Sequence, residues 1–484
     1  MITEELILYL KNSLVTDGRI QAETRDENNV PMPGRNLFVS LKSHASKFFE
    51  RGTQPRMIAI SGLRGVGKTT LMWQIAETVF QNQTKKIFFI SVDDLNRLGA
   101  NLFEAFQVLE QHVFKKPLPE LEEPVMFLID EVHEAPEWDK DLKILYEKCK
   151  RAFILCTGSS ALLLHKSPDL ATRWTLVKLF PFRFSEFILA KSWADNPKKQ
   201  LFPAKGLGSE LRNTLLYSEE VGKLSSGLKK LEKKITVYFS EIKKRFGTID
   251  LNSLIDEYIS YHNIARFLKI ENKELINERI IGLFERIILK DIPEFTSAED
   301  AARMQRLLMR LALSDEINFQ KLSKEFRCSE NEIETLIDTL DKAEILNVFH
   351  PYGGVKSKTG QSRKAFFMSP SLRRALYSRI FGPKLEDNLR AKLYEDAVAM
   401  YLRKSVDSGL LSFGQARGSK TPDFIVETRE RPIVIEVGSY KTKTTQVSKY
   451  EKNKRYGLVI SARETDLIVK DEAVIIPLSW FLLL

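Results

Sequence analysis

The chain has 484 residues, 43% hydrophobic and 29% charged, with a net charge of +10; that balance belongs to globular proteins and excludes disordered and fibrous classes. No stretch approaches the ~18 apolar residues of a membrane span, and Met1 to Leu10 carries two glutamates where a secretory leader needs lysines. The length argues for about three domains. Cys149, Cys156 and Cys328 lack metal-ligand spacing and suit a reducing cytoplasm, while the basic excess permits a nucleic-acid partner without requiring one.

Residues 1–34 open with an apolar-periodic helix (Ile2, Leu6, Leu8, Leu10) and pass into a polar Asn-Asn-Val-Pro-Met-Pro-Gly loop. A second helix is expected over about 36–51. Met57 to Ile60 reads as a strand, and Thr69 to Phe80 as a helix. Between them runs Gly62-Leu63-Arg64-Gly65-Val66-Gly67-Lys68-Thr69, the GxxxxGK[ST] phosphate-binding pattern, followed by Thr70. Its glycines let the backbone wrap a triphosphate, so that successive N–H groups and a helix N-terminus face the oxygens. Lys68 is expected to reach the β- and γ-phosphates and the Thr69 hydroxyl to ligate Mg²⁺, with ATP as the nucleotide.

Lys86 to Val92 reads as the next strand and 101–114 as a helix. The apolar run Val125 to Ile129 then ends in Asp130 and Glu131. Such a run marks a strand buried on both faces of a parallel sheet, and carboxylates at its C-terminal end fall where open α/β sheets bind ligands. Asp130 is assigned to Mg²⁺ through water, and Glu131 to polarising the attacking water. A fourth strand, Ala152 to Thr157, leads into Gly158-Ser159-Ser160. Thr157 at its tip is a candidate sensor of the γ-phosphate, Arg173 a candidate for stabilising transition-state charge in the same or a neighbouring subunit, and His133 a positioned loop residue.

These segments and Leu179-Phe-Pro-Phe-Arg-Phe184-Ser-Glu186-Phe187, in this order, resemble the prokaryotic AAA-like, STAND-related P-loop ATPases. The resemblance implies an ATPase core over residues 35–190, with roles for Lys68, Thr69, Asp130, Glu131 and Arg173. It also implies a winged helix and a C-terminal restriction-endonuclease-like domain. The expected fold class is therefore α/β: a P-loop core with a parallel sheet, a helical lid (191–299), a winged helix (300–383) and a PD-(D/E)XK-like α/β domain (384–484).

In the lid region, 191–208 reads as a polar linker. Val221, Leu224, Leu228, Leu231, Ile235, Tyr238 and Ile242 then form a three-heptad seam, packed on the lid or on another copy of the chain, with Lys229, Lys230, Lys233 and Lys234 on other faces. Tyr261-His-Asn-Ile-Ala265 stands where the family has a Gly-Gly-x-Pro turn, whereas Ile287 to Pro293 matches its closing segment.

Helices over 301–313, 320–326 and 329–343, with strands near 345–349 and 365–368, make up the expected winged helix. Its third helix is acidic: Glu330, Glu332, Glu334, Asp338, Asp341 and Glu344 stand against Lys342 alone. Such a helix meets phosphate repulsion in the major groove, which favours a packing or partner-binding role for the module over sequence-specific reading and leaves the wing (Lys356, Lys358, Arg363, Lys364) for any backbone contact. In the terminal segment Glu395, Asp423 and Glu436 resemble the PD-(D/E)XK carboxylates, with Gln446 in the helix that follows. The usual lysine position holds Gly438; Lys441 substitutes only if the chain bends back, and the alternative to an active nuclease is a fold kept for nucleic-acid binding or assembly. Lys441, Lys443, Lys449, Lys452, Lys454 and Arg455 make this segment the expected DNA contact. Three functions stay open: ATP hydrolysis driving conformational work on DNA, a slow nucleotide switch that recruits a protein partner or oligomerises, and an ATP-gated nuclease.

Overall fold

The computed structural model describes residues 3–158, 172–247, 249–292, 298–354, 362–414, 421–439, 443–450 and 453–484. The chain divides into two compact units, Met1–Phe180 and Pro181–Leu484.

The first unit is built on five strands: β1 (Met57–Ser61), β2 (Ile87–Ser91), β3 (Val125–Asp130), β4 (Ala152–Gly158) and β5 (Thr175–Lys178). They form a wholly parallel sheet in the order β2-β3-β4-β1-β5. Every residue of β1 and β4 is buried, as continuous apolar runs require of a sheet covered on both faces. On one face Met57, Ala59, Phe127, Ile129, Ile154 and Cys156 pack with residues of α1 (Glu4–Lys11), α6 (Leu102–Val108) and α7 (Trp138–Lys148). Strand alternation sends Ile58, Ile60, Leu128 and Leu155 to the other face. There α3 (Leu37–Arg51) and α4 (Lys68–Asn82) lie against β3 and β4. Burial raises the Cys149 thiol to about 11 and Cys156 further still, so neither is a reactive thiol.

Residues 1–34 belong to this unit. The Val15 N–H donates to the Ile87 carbonyl (2.8 Å) and the Phe89 N–H to that of Ser13 (2.9 Å), extending the sheet edge at β2. A helix not expected from the sequence, α2 (Asp17–Thr24), follows; its Thr16 hydroxyl caps the Arg19 N–H. The short α5 (Val92–Arg97) starts directly from β2 on a Ser91 cap.

In the second unit, the helix Phe184–Asp195 runs into the stretch expected to be a linker. The seam helix extends over Val221–Phe246 and buries Leu224, Leu228, Leu231, Ile235, Tyr238, Ile242 and Phe246. It packs on the helix Leu207–Tyr217, so close that a Cβ on Gly227 would meet Thr214 at 2.7 Å. The seam is thus filled within one chain.

Helices Ala298–Leu313, Phe319–Phe326 and Glu330–Lys342 accompany three antiparallel strands, β6 (Glu316–Asn318), β7 (Leu346–Pro351) and β8 (Ser362–Phe367). The remaining strands are β9 (Leu411–Phe413), β10 (Phe424–Val426), β11 (Ile433–Gly438), β12 (Tyr456–Ser461), β13 (Ile468–Lys470) and β14 (Ala473–Pro477). β7 pairs in parallel with β9, His350 opposite Ser412, which merges all nine into one sheet, β13-β14-β12-β11-β10-β9-β7-β8-β6. The strands before and after residues 383–384 therefore share one sheet. A buried ion pair reinforces the join. Arg373 Nε lies 2.6 Å from Asp396 Oδ2, and Asp396 Oδ1 also accepts the Phe367 N–H at 2.8 Å. The closing Trp480 to Leu484 is a buried strap; Tyr401 donates to the Leu482 carbonyl at 2.9 Å.

Candidate functional site

The phosphate loop connects β1 to α4 at the carboxyl end of the parallel sheet. Gly65 and Gly67 adopt positive φ (81° and 97°), the left-handed region open to glycine at little cost. Gly62 is needed for a second reason: a Cβ there would collide with the Leu179 carbonyl oxygen just past β5. Lys68, the first residue of α4, is buried, and its amino group donates to the Gly62 carbonyl (2.9 Å) and the Leu63 carbonyl (3.3 Å). It therefore starts within the loop whose phosphates it would contact.

Asp130 ends β3, which is separated from β1 by β4. Both its oxygens accept from the Thr69 hydroxyl (3.0 and 3.2 Å), and Oδ1 also accepts from Thr157 at the tip of β4. The Thr157 hydroxyl in turn accepts the Glu131 N–H at 3.0 Å. Burial is the main reason that the Asp130 carboxyl lies above the usual carboxylate range; the charge of Glu131 adds to it, and the Thr157 and Thr69 hydrogen bonds and Lys68 oppose it. Glu131 turns into the left-handed region (φ 52°), a strained conformation for a side-chain-bearing residue. Its carboxylate lies 3.5 Å from Arg64 Nη1 and 3.4 Å from His133 Nδ1, while Arg64 Nη2 reaches Glu134 at 3.1 Å.

The sequence-derived residues Lys68, Thr69, Asp130, Glu131 and Thr157 thus converge at one end of the sheet. Hard oxygen ligands from one hydroxyl and one carboxylate, about 3 Å apart at a helix N-terminus, fit a Mg²⁺ ion that keeps several waters. Such an ion would screen Asp130 and lie beside phosphate oxygens.

Arg173 is not with them. It precedes β5 by two residues, Thr175 pairs with Ile58 near the start of β1, and the guanidinium meets Glu147 at 2.9 Å. That places it toward the end of the sheet opposite the loop. Ser159 and Ser160 lie outside the described residues. Sequence reasoning missed Arg35. Buried ahead of α3, it donates to the loop carbonyl of Val66 and, at 2.8 Å, to that of Phe180. The only local signal was a Pro-Gly pair setting it at the start of a helix.

In the second unit, Phe424 pairs with Ile435, so Asp423 stands opposite Glu436; Asp423 Oδ2 also accepts the Val437 N–H at 2.8 Å. Gln446 tethers its helix to the Thr421 carbonyl (2.6 Å). Burial first, then Asp423 and Asp315, push the Glu395 carboxyl well above the usual range. Lys441 lies outside the described residues. Lys364 enters this cluster instead: burial disfavours its charge, but Asp423, Asp315 and Glu395 together hold its pKa above the ordinary value. Among the described residues, no group of three or more His, Cys, Asp or Glu side chains is placed to hold a metal ion.

The charges expected at a DNA surface are largely used internally. Arg363 pairs with Glu334 and with Asp338 (2.7 Å), Arg303 with Glu332 (3.2 Å) and Arg403 with Asp341 (3.5 Å). Four of the six carboxylates of the acidic helix are thus paired within their own unit, and neither Arg363 nor Lys364 is a free wing contact. Lys454 is buried and donates to the Ser448 carbonyl (2.9 Å), and Arg455 donates to Thr428 (3.1 Å). Lys356, Lys358 and Lys452 lie outside the described residues; Lys443 and Lys449 are exposed.

Residues 54–188 match a family model described as an AAA domain, and residues 256–383 one described as a domain of unknown function. The chain is 29% identical over 456 residues to an uncharacterized protein of Methanocaldococcus jannaschii, covering 92% of this chain and 88% of that one. An uncharacterized protein of Haemophilus influenzae is 30% identical over 139 residues, 28% of this chain and 33% of the other. Among solved structures, the RuvB Holliday junction branch migration motor of Thermotoga maritima aligns at 15% identity over 76% of this chain and 99% of its own, with a TM-score of 0.31. No helix among the described residues is long and apolar enough to cross a membrane.

Proposed function

We propose that this chain binds Mg·ATP and hydrolyses it, coupling the nucleotide state to a conformational change. The observation that carries this reading is the hydrogen-bonded chain Thr69–Asp130–Thr157–Glu131 at the N-terminus of α4, beside Lys68. Lys68 and the loop N–H groups would hold the phosphates, Thr69 and Asp130 the Mg²⁺, and Glu131 would take up a proton from the attacking water. ATP turnover tests it. Lys68→Ala should abolish nucleotide binding without unfolding the chain. Glu131→Gln should keep binding and lose hydrolysis, because an amide keeps the shape and cannot accept the proton. Wild-type turnover in either variant would refute the assignment.

One observation favours slow turnover, as in a switch that recruits a partner. Arg173 stands toward the wrong end of the sheet to act on its own subunit's nucleotide, and Arg64 is held by Glu131 and Glu134. An arginine acting on the transition state accounts for ~10³–10⁵ in rate where one operates. Single-turnover kinetics matching steady-state turnover at a slow rate would support the switch; rapid steady turnover would exclude it. A nuclease-like role for Glu395, Asp423 and Glu436 rests on the register that sets Asp423 against Glu436. Its test is Mg²⁺-dependent DNA cleavage that disappears in Glu436→Ala.

A further inference from the structure

In the second unit, the helix Lys273–Arg286 and the turn Ala265–Phe267 border a cavity of about 570 Å³. Its floor is apolar, formed by the buried Phe267 and Leu283, and its rim carries Arg266, Arg279 and Arg286. All three arginines are exposed, and among the described residues none of them is ion-paired or hydrogen-bonded. This sets them apart from Arg303, Arg363, Arg373 and Arg403, each of which is paired within the same unit. Glu278 is the one carboxylate at the rim, and nearby Glu285 is already paired with Arg379 at 3.0 Å. Three guanidinium groups against one carboxylate leave an excess of two positive charges around one concavity.

Gly282 adds an independent observation. It lies inside the helix, three residues after Arg279 and four before Arg286, on the face they share. A glycine there costs about 1 kcal/mol relative to alanine, yet a Cβ at this position would meet nothing within 4 Å. No packing among the described residues calls for it. What it provides is a notch in which an outside group can lie flush against the helix backbone.

We propose that this notch grips the phosphodiester backbone of DNA, without reading bases. Guanidinium forks match phosphate oxygens in pairs. Arg279 and Arg286 stand two helix turns apart, ~10.5 Å along the axis, commensurate with the ~10 Å rise of three nucleotides on one strand. A second copy's acidic helix is a poor occupant, since four of its carboxylates are already engaged by Arg303, Arg363 and Arg403. The site requires neither the terminal lysines nor ATP hydrolysis.

Fluorescence anisotropy of a labelled 20-base-pair duplex with the full-length chain, without nucleotide and at two salt concentrations, tests the proposal. Arg266→Gln/Arg279→Gln/Arg286→Gln should weaken binding at least tenfold and reduce the salt slope by about 2–3, at ~0.9 per phosphate contact. Gly282→Leu should weaken binding with every charge kept, and, being exposed on a helix, should keep the helical circular dichroism and hold or raise the melting temperature, so weaker binding could not come from unfolding. Lys68→Ala should bind DNA as wild type does, so failure of the ATPase reading would leave this result intact. Absence of duplex binding by the wild type, or unchanged affinity and slope in the triple variant, would overturn the proposal. So would displacement of the DNA by polyglutamate at equal charge concentration, which would assign the notch to an acidic peptide.

Discussion

Thr157→Val isolates the role of one hydroxyl. Thr157 is fully buried, donates to Asp130 and accepts the Glu131 N–H at 3.0 Å. Valine keeps the shape and removes both interactions. A hydrogen bond to a charged group contributes ~1.5–3 kcal/mol, and a buried N–H left without an acceptor costs ~1–3 kcal/mol. Asp130 retains its bond to Thr69, so the net loss should be about 2–4 kcal/mol. For a unit of this size, melting should fall by roughly 5–15 °C. The change should also be visible in pH dependence. The Thr157 hydrogen bond is one of the effects that lower the Asp130 pKa against burial and Glu131; without it the carboxyl rises further, and the acid limb of Mg·ATP binding moves to higher pH. Differential scanning fluorimetry with and without Mg·ATP, repeated across pH, measures both effects. A variant that melts with the wild type and keeps its pH profile would refute the reasoning.

Two further predictions concern stability. Asp141, in the first turn of α7, is raised to about 6 chiefly by burial; its folded-state pKa exceeds the unfolded value, so stability is lost as pH rises from about 4 through 6 and the cost is complete above. Asp141→Asn should therefore raise the melting temperature at pH 7–8 and have little effect below pH 4, a contrast that a pH series of thermal melts would show. Asp396→Ala should destabilise the second unit by ~3–5 kcal/mol, because it strands the buried Arg373. Arg373→Met/Asp396→Leu should recover most of that loss, read by urea denaturation; equal destabilisation in the single and double variants would contradict it.

The convergence of the proposed nucleotide-site residues was legible in the sequence because its signals are local. Gly62 to Thr69 must be contiguous to wrap a phosphate, and the apolar run from Val125 to Ile129 places Asp130 and Glu131 at a strand end whatever its neighbours are. The seam from Leu224 to Ile242 was equally legible, since its period alone defines a buried helix face. Strand order, which no local pattern encodes, was decided by tertiary structure. β5 pairs alongside β1 in a register that carries Arg173 away from the loop. β7 pairs with β9, merging strands from residues 300–383 and 384–484 into one sheet. Lys364, 31 residues before Glu395, then joins Glu395 and Asp423, and Arg363 is spent on Glu334 and Asp338. The same limit applies to Arg35, whose acceptors are 31 and 145 residues away. A charged side chain in a sequence declares its sign and reach; only the folded chain determines whether it meets a partner of its own or is left for one outside.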